Sequence, residues 1–458
     1  MSDAAFVESV RASGIDVLEG PPELARFETD FGALVRGSAR SVISPRSASQ
    51  VARVVTLARS EGVALTLRGG GLSQSGQSVP EESHVLELGQ LGGVELDLER
   101  RLIAVGPAAS FREIVARAAP AGLGLPVLPL NLDLTAGGVL SAGGLGSASH
   151  RHGLVVDHVE ALEVVLGSGQ RVEVGPERGR EVLDAVLGGL GRAGVITKAV
   201  LRLIPTPSRL RTLVLVHASL SDALREQRRL LARPEVLQLD GVSAPAVLGL
   251  GLGPGGERAP LRRFVHALHV TTSADVDRAL VLGEHAHDVL HEETDDASAH
   301  AARFDMRFRA MRATGAWGQA HPWFEAFVPS DRIEEALALA MSLPHFLAEL
   351  VRFGPLAADG GGSRPASIVL PDGPTHVVAL LPSGVPPPFV EVARDSLARL
   401  DRAYAALGAK RYLSGWLPNV LAGGLAEHHG ARRASLEEVR ARCDPGRVFT
   451  SRLLPRDA

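Results

Sequence analysis

The chain has 458 residues, more than one hydrophobic core usually organises, so two large domains are expected. Apolar residues make up 45% and charged residues 22%, an ordinary globular balance that excludes long disorder. The net charge of -4, with both signs interleaved, excludes a basic face for nucleic acid or an anionic membrane and points to a small, nearly neutral ligand.

The N-terminal MSDAAFVESVRASG lacks the charged-then-apolar design of a signal peptide, and no apolar run reaches membrane-spanning length, so a cytoplasmic protein is expected. Cys443 is the single cysteine, which rules out an intramolecular disulfide and any multi-cysteine metal or iron-sulfur site. No metal is expected, and Cys443 in ARCDPGRVF reads as a buried packing residue.

Ser47 and Gln50 form a capping box ahead of apolar Val51, Val54, Val55 and Ala58, which predicts an amphipathic helix ending at Gly62. A buried strand over 63–67 follows, and then RGGGLSQSGQS at 68–78. A loop of this kind turns several backbone N–H groups toward one anion; taken alone, a plain glycine turn is the other reading. A strand at 101–105 and a second capped helix, Ser110 with Glu113, repeat the pattern. LTAGGVLSAGGLGSASHRHG at 134–153 is too rich in glycine to be one regular helix or strand. Beyond it, VEALEVVL and RVEV flank GSGQ at 167–170 as a β-hairpin, and a strand over 195–203 closes at Pro205 and Pro207, the first domain boundary. Gly189, Gly191 and Gly194 spell a dinucleotide fingerprint, but a helix precedes and a strand follows, the reverse of what a Rossmann site requires.

From 208 to 408 strands such as TLVLVH, RFVHALHV, FEAFV and THVVALL alternate with helices near 219–232, 274–290, 330–341 and 388–407, which predicts an antiparallel sheet covered by helices. LGLGPGGERAP and AADGGGSRPAS read as exposed loops.

The 68–78 loop resembles the RGxGHSxxGQ loop of FAD-binding PCMH-type flavoproteins, the vanillyl-alcohol oxidase superfamily, and above all its cytokinin dehydrogenase branch. LTAGGVLSAGGLGSASHRHG, GGLGRAGVITKAVLRL, GAWGQAHPWFEAFVP, KRYL and RARCDPGRVF are similar to segments of that branch in the same order. The resemblance implies an α+β protein: a two-part FAD-binding domain (1–206, core about 36–206, with 409–458 returning to it) and an inserted substrate domain of antiparallel sheet and helices at 207–408. It implies FAD contacts from Gly69, Gly70, Gly71, Leu72 and Ser73, with Gln77 at the same end of the cofactor. Further contacts are implied for Leu130, for Thr135, Gly138, Ser141 and Leu145, and for Ile196, Tyr412 and Thr450.

Three positions depart from the family. Leu72 stands where the branch has the histidine that bonds the flavin covalently, so FAD is expected to be held non-covalently. Leu130 stands at the catalytic aspartate, which leaves the base unassigned; nearby Asp133 is either a surface charge or a displaced base. Arg307 falls near the family's substrate-side glutamate and, with Trp416, is a candidate substrate contact, although RFDMRFRAMR at 303–312 also reads as a solvated helix face. Arg307 would favour an anionic or carbonyl-rich ligand. His321 and Trp323 read as sheet packing, and His150 and His152 as capping or packing residues or a proton relay. The expected activity is an FAD-dependent dehydrogenase or oxidase of a small organic substrate in specialised metabolism, with oxygen or another acceptor taking the electrons. The alternatives are a flavin-dependent cyclase or isomerase without net oxidation, and a ligand-binding protein that has lost activity.

Overall fold

In a computed structural model, which describes residues 3–252, 258–283, 289–358, 364–417 and 425–456, the local sequence signals give the first elements. The helix Ala48–Glu61 starts where Ser47 Oγ accepts the Gln50 N–H at 3.2 Å and stops at left-handed Gly62. Gln50 caps Arg46 N–H rather than Ser47, so half of that capping box forms. Ser110 and Glu113 complete theirs on Phe111–Ala118.

Val51, Val54, Val55 and Ala58 bury against Ile43, Leu65 and Leu86 of the first sheet. Its strands run in the order Asp16–Leu18, Ser38–Ser44, Glu81–Glu87, Leu65–Arg68, the last three mutually parallel. The second sheet is antiparallel: Val94–Asp97, Leu102–Val105, Val195–Arg202, Val159–Val165, Arg171–Val174, with the expected hairpin closing Val165 on Arg171. The C-terminal segment comes back to these sheets. Leu65 N–H donates to Val448 O, Thr450 N–H donates to Leu65 O, and the helix Arg433–Cys443 lays Val439 and Cys443 into the core beneath the second sheet. Burial raises the Cys443 thiol above its ordinary value, as a packing residue requires.

Past Ile204–Pro205 the chain builds, among the described residues, an eight-stranded antiparallel sheet. The order is Val289–Asp296, Arg209–His217, Arg258–Ser273, Gln238–Leu252, Val351–Leu356, Thr375–Leu380, Phe324–Pro329, Lys410–Arg411. Leu224, Leu230, Leu337, Leu397 and Leu400, from the helices Leu220–Leu231, Ile333–Met341 and Val390–Ala406, pack on it. The helix expected over 274–290 is a short Arg278–Leu282 ended by Gly283 at positive φ, and Val289–Asp296 is an edge strand. Of the stretch expected as an exposed loop at 250–260, both ends are strand, and 253–257 lie outside the described residues. In the 357–367 stretch, where 359–363 lie outside the described residues, Arg364 pairs with buried Asp157 and Ser367 Oγ bonds Leu187 O, so this end is docked rather than exposed. Among the described residues no helix is long and apolar enough to cross a membrane, and no cluster of His, Cys, Asp and Glu could hold a metal.

Arg411 locks the last strand in place. Its guanidinium pairs with Asp401 at 3.0 Å, both side chains 7% exposed, bonds the carbonyls of Glu325 and Trp416, and lies 3.9 Å from the Phe324 ring. Removing one partner of a buried pair strands the other charge, so Asp401→Ala should cost about 3–5 kcal/mol in urea unfolding. A loss under about 1 kcal/mol would mean that the pair does not hold this edge.

Candidate functional site

The strand Leu65–Arg68 delivers the glycine loop, and Arg68 shapes it. The buried guanidinium donates to the carbonyls of Arg26 (3.1 Å), Phe27 (3.3 Å), Thr29 (3.0 Å) and Ser78 (3.1 Å), tying both ends of the loop to the N-terminal segment. Gly71 is left-handed (φ 68°), and a Cβ there would collide with that guanidinium. A Cβ on Gly69 would lie 2.8 Å from Thr135 Oγ1, so the second glycine-rich stretch can close on the first only over a glycine. Among the described residues the N–H groups of residues 69–73 donate to no protein acceptor. Uncommitted neighbouring amides of this kind form an anion-binding nest.

Asp30 anchors the loop from below. Its Oδ2 accepts from Ser73 Oγ (2.9 Å) and Gly76 N–H (2.8 Å), while its Oδ1 is buried without a partner. Gln77 Nε2 donates to Leu413 O (3.0 Å), and Ser75 Oγ donates to Gly415 O and accepts from Leu417 N–H. The loop is thereby stitched to the segment bearing Tyr412. The Tyr412 hydroxyl accepts the Gly144 N–H at 2.7 Å, and burial raises its pKa.

These segments line one cleft with about 1560 Å³ of empty space, its open mouth included. Gly69, Gly70, Gly71, Leu72, Ser73 and Gln77 line it from the first loop. Leu130, Thr135, Gly138, Ser141 and Leu145 line it from the second stretch, and Ile196 and Tyr412 complete this set. Ser141 Oγ donates to Gly137 O, which leaves its lone pairs free.

Three candidates lie outside the lining. Thr450 braces Leu65, the strand residue ahead of the loop. Arg307 turns away to the Leu381 carbonyl and lies 3.6 Å from Glu349. Trp416 is buried in the core of the eight-stranded sheet with Arg394 over its ring. Asp133 is 39% exposed and paired with Arg112 and Arg312, so it is a surface charge. His150 and His152 do not line the cleft. Burial lowers both, His152 to about 4, and His150 Nδ1 is 3.2 Å from Ser147 O. His321 stacks on Phe31 at 3.9 Å, whereas the Trp323 ring lines the cleft with its Nε1 bonded to Pro382 O.

The sequence reading missed Glu325 and Arg352, which line the cleft from the eight-stranded sheet, and Gly191 and Gly194 from the rejected fingerprint; Phe308, the neighbour of Arg307, lines it from the helix Asp305–Ala313. The cleft therefore holds a carboxyl, Glu325, although position 130 is leucine. Glu325 accepts from Ser414 Oγ, and burial raises its pKa against the pull of Ser414, Arg411 and Arg352.

Uncommitted neighbouring amides beside the apolar side chains of Leu72, Leu130, Leu145 and Ile196 suit a ligand that joins an anionic group to an apolar one. Residues 39–175 match the FAD binding domain family. The chain is similar to cytokinin dehydrogenase 10 of Oryza sativa subsp. japonica, 25% identical over 93% of this chain and 86% of that one. It is also similar to cytokinin dehydrogenase 8 of Oryza sativa subsp. indica, 27% identical over 95% and 91%. An uncharacterized oxidoreductase, ORF5 in the fasciation locus of Rhodococcoides fascians, is 28% identical over 68% of this chain and 70% of its own. The domain match and these relatives support the resemblance to the FAD-binding PCMH-type flavoproteins.

Burial pushes the Asp30 carboxyl from 3.8 up to about 6. As pH rises through this window the unfolded chain gives up its proton first, so the group withdraws stability between about pH 4 and pH 6 and withdraws no more above it. The amide in Asp30→Asn keeps an acceptor for Ser73 and Gly76. Relative to wild type, that variant should gain on the order of 2–3 kcal/mol between about pH 4 and pH 7 in urea unfolding. Parallel pH profiles for the two proteins would contradict this.

Proposed function

We propose that this protein is an FAD-dependent oxidoreductase that oxidises a small organic molecule and holds its cofactor non-covalently in the cleft. The observation that carries the reading is the run of uncommitted N–H groups at residues 69–73, opening into the cleft that both glycine-rich stretches and Tyr412 line. Those amides would take the pyrophosphate, Thr135 and Ser141 would offer hydroxyls, and Leu72, Leu130, Leu145 and Ile196 would pack the ring system. When bound, FAD supplies two-electron redox chemistry, with oxygen or another acceptor regenerating it. The eight-stranded sheet would bear the substrate, because Trp323, Glu325 and Arg352 reach the cleft from it.

The non-covalent reading is supported by the lining itself. Leu72 offers only hydrocarbon at the loop, and among the described residues no histidine or cysteine lines the cleft. Contacts to amides and hydroxyls with burial of the rings give tight, reversible binding. Acid precipitation should release the yellow chromophore into the supernatant, and the intact mass should equal that of the chain alone. A yellow pellet, or a mass raised by one FAD, would overturn it. The Gly69→Val variant should fold but purify colourless, since its side chain would push Thr135 off the loop; normal flavin content would refute the placement.

A further inference from the structure

Resting on the reading of this cleft as a flavoenzyme's, we propose that Glu325 takes a proton from an O–H or N–H group of the substrate and that Arg352 holds the charge left behind. Sheet register sets the pair. Glu325 on Phe324–Pro329 and Arg352 on Val351–Leu356 both stand opposite Ala379 of the intervening strand Thr375–Leu380. Residues in one row across a sheet project to the same face, so the two long side chains rise either side of a single methyl group. Their backbones are two strand spacings apart, roughly 10 Å. Both line the cleft. A small residue between them leaves room for ligand atoms.

Each side chain has one part committed and one part free. Glu325 Oε2 accepts from Ser414 Oγ, which fixes the carboxyl, while Oε1 has no hydrogen bond among the described residues. Arg352 gives Nη2 to Asp240, and its Nη1 has none among the described residues. Burial raises the pKa of Glu325, while Arg411 and Arg352 restrain the shift, as suits a proton acceptor that must still ionise.

Charge balance selects the ligand. Buried Asp240 serves both Arg352 and Arg303, whose own bonds go to neutral acceptors: Ser147 Oγ, Gln238 Oε1 and His300 O. Arg303 also has Glu293 and Asp295 acting on it, whereas Arg352 and Glu325 act on each other across the row. Arg411 already has Asp401. When a neutral ligand gives its proton to Glu325 Oε1, the O–H or N–H bond breaks with its electrons left on the heteroatom. The negative charge then moves from Glu325 to the ligand beside Arg352, and the buried sum is unchanged. A ligand that arrives as an anion instead adds charge next to an ionised carboxylate. The site therefore suits a neutral alcohol, enol, phenol or N–H acid. This replaces the anionic ligand expected from Arg307, which does not reach the cleft.

The test uses the FAD-loaded protein and a fluorinated phenol as probe, with 19F NMR reporting whether the bound hydroxyl has lost its proton. In the wild type near neutral pH the bound phenol should be ionised to a larger fraction than in free solution. In Glu325→Gln it should keep its proton, with binding weaker by about tenfold or more, the scale of a lost charge-assisted hydrogen bond. Ala379→Leu, which closes the gap while leaving both charged groups, should weaken binding by at least about tenfold as well. An unchanged ionised fraction in Glu325→Gln, unchanged affinity in Ala379→Leu, or no binding to the wild type overturns the proposal. The flavin absorbance of the same samples reports separately on the cofactor: a colourless wild-type protein sinks the flavoenzyme reading, whereas yellow protein with an unaffected Glu325→Gln sinks only the role of Glu325.

Discussion

The four carbonyls held by Arg68 are the constraint on which the site depends. A buried guanidinium is costly unless its donors are used, and here they close the loop against residues 26–29 and 78. The loop carbonyls find partners too, with Phe31 N–H on Gly71 O and Gly32 N–H on Ser73 O. What remains unspent is the row of amides at residues 69–73. Unpaired amides cost about 1–3 kcal/mol each when sealed from water. A loop fixed in this shape by Arg68 and Asp30 is thus poised for an anion that satisfies several of them at once.

The second requirement is that distant parts of the chain arrive together. Gln77 and Ser75 bond the 413–417 segment, Tyr412 bonds Gly144, and Tyr412 N–H donates to Glu325 O. One short segment therefore joins the glycine loop, the second glycine-rich stretch and the eight-stranded sheet. Because Glu325 hangs from the same knot, cofactor cleft and charged row are positioned by common contacts. The sheet can then supply a carboxyl even though position 130 holds leucine.

Features written in neighbouring residues were legible in the sequence: the capped helices at Ser47 and Ser110, the hairpin at 167–170, and the glycine loop after its strand. Features set by register or by the azimuth of a helix were not. Arg307 and Phe308 differ by one position, which on a helix is a rotation of about 100°. Phe308 therefore lines the cleft, while Arg307 turns to the Leu381 carbonyl. Glu325 and Arg352 become neighbours only once three strands align on Ala379, and nothing local to either residue announces that. Val289–Asp296 was not read as a strand because its acidic residues hide the apolar alternation; as an edge strand pairing on one side, it needs little of it. Gly191 and Gly194 lie between the helix Arg180–Val186 and the strand Val195–Arg202, the reverse of a Rossmann context, yet they line the cleft.

Hydrogen exchange on protein stripped of flavin and then reloaded with FAD tests the central claim most directly. The amides of residues 69–73, unpartnered among the described residues, should exchange fast in the stripped protein and slow markedly with FAD, while the strands of the eight-stranded sheet remote from the cleft change little. Unchanged exchange at residues 69–73 in a protein that demonstrably binds FAD, or protection appearing only elsewhere in the chain, would contradict the account.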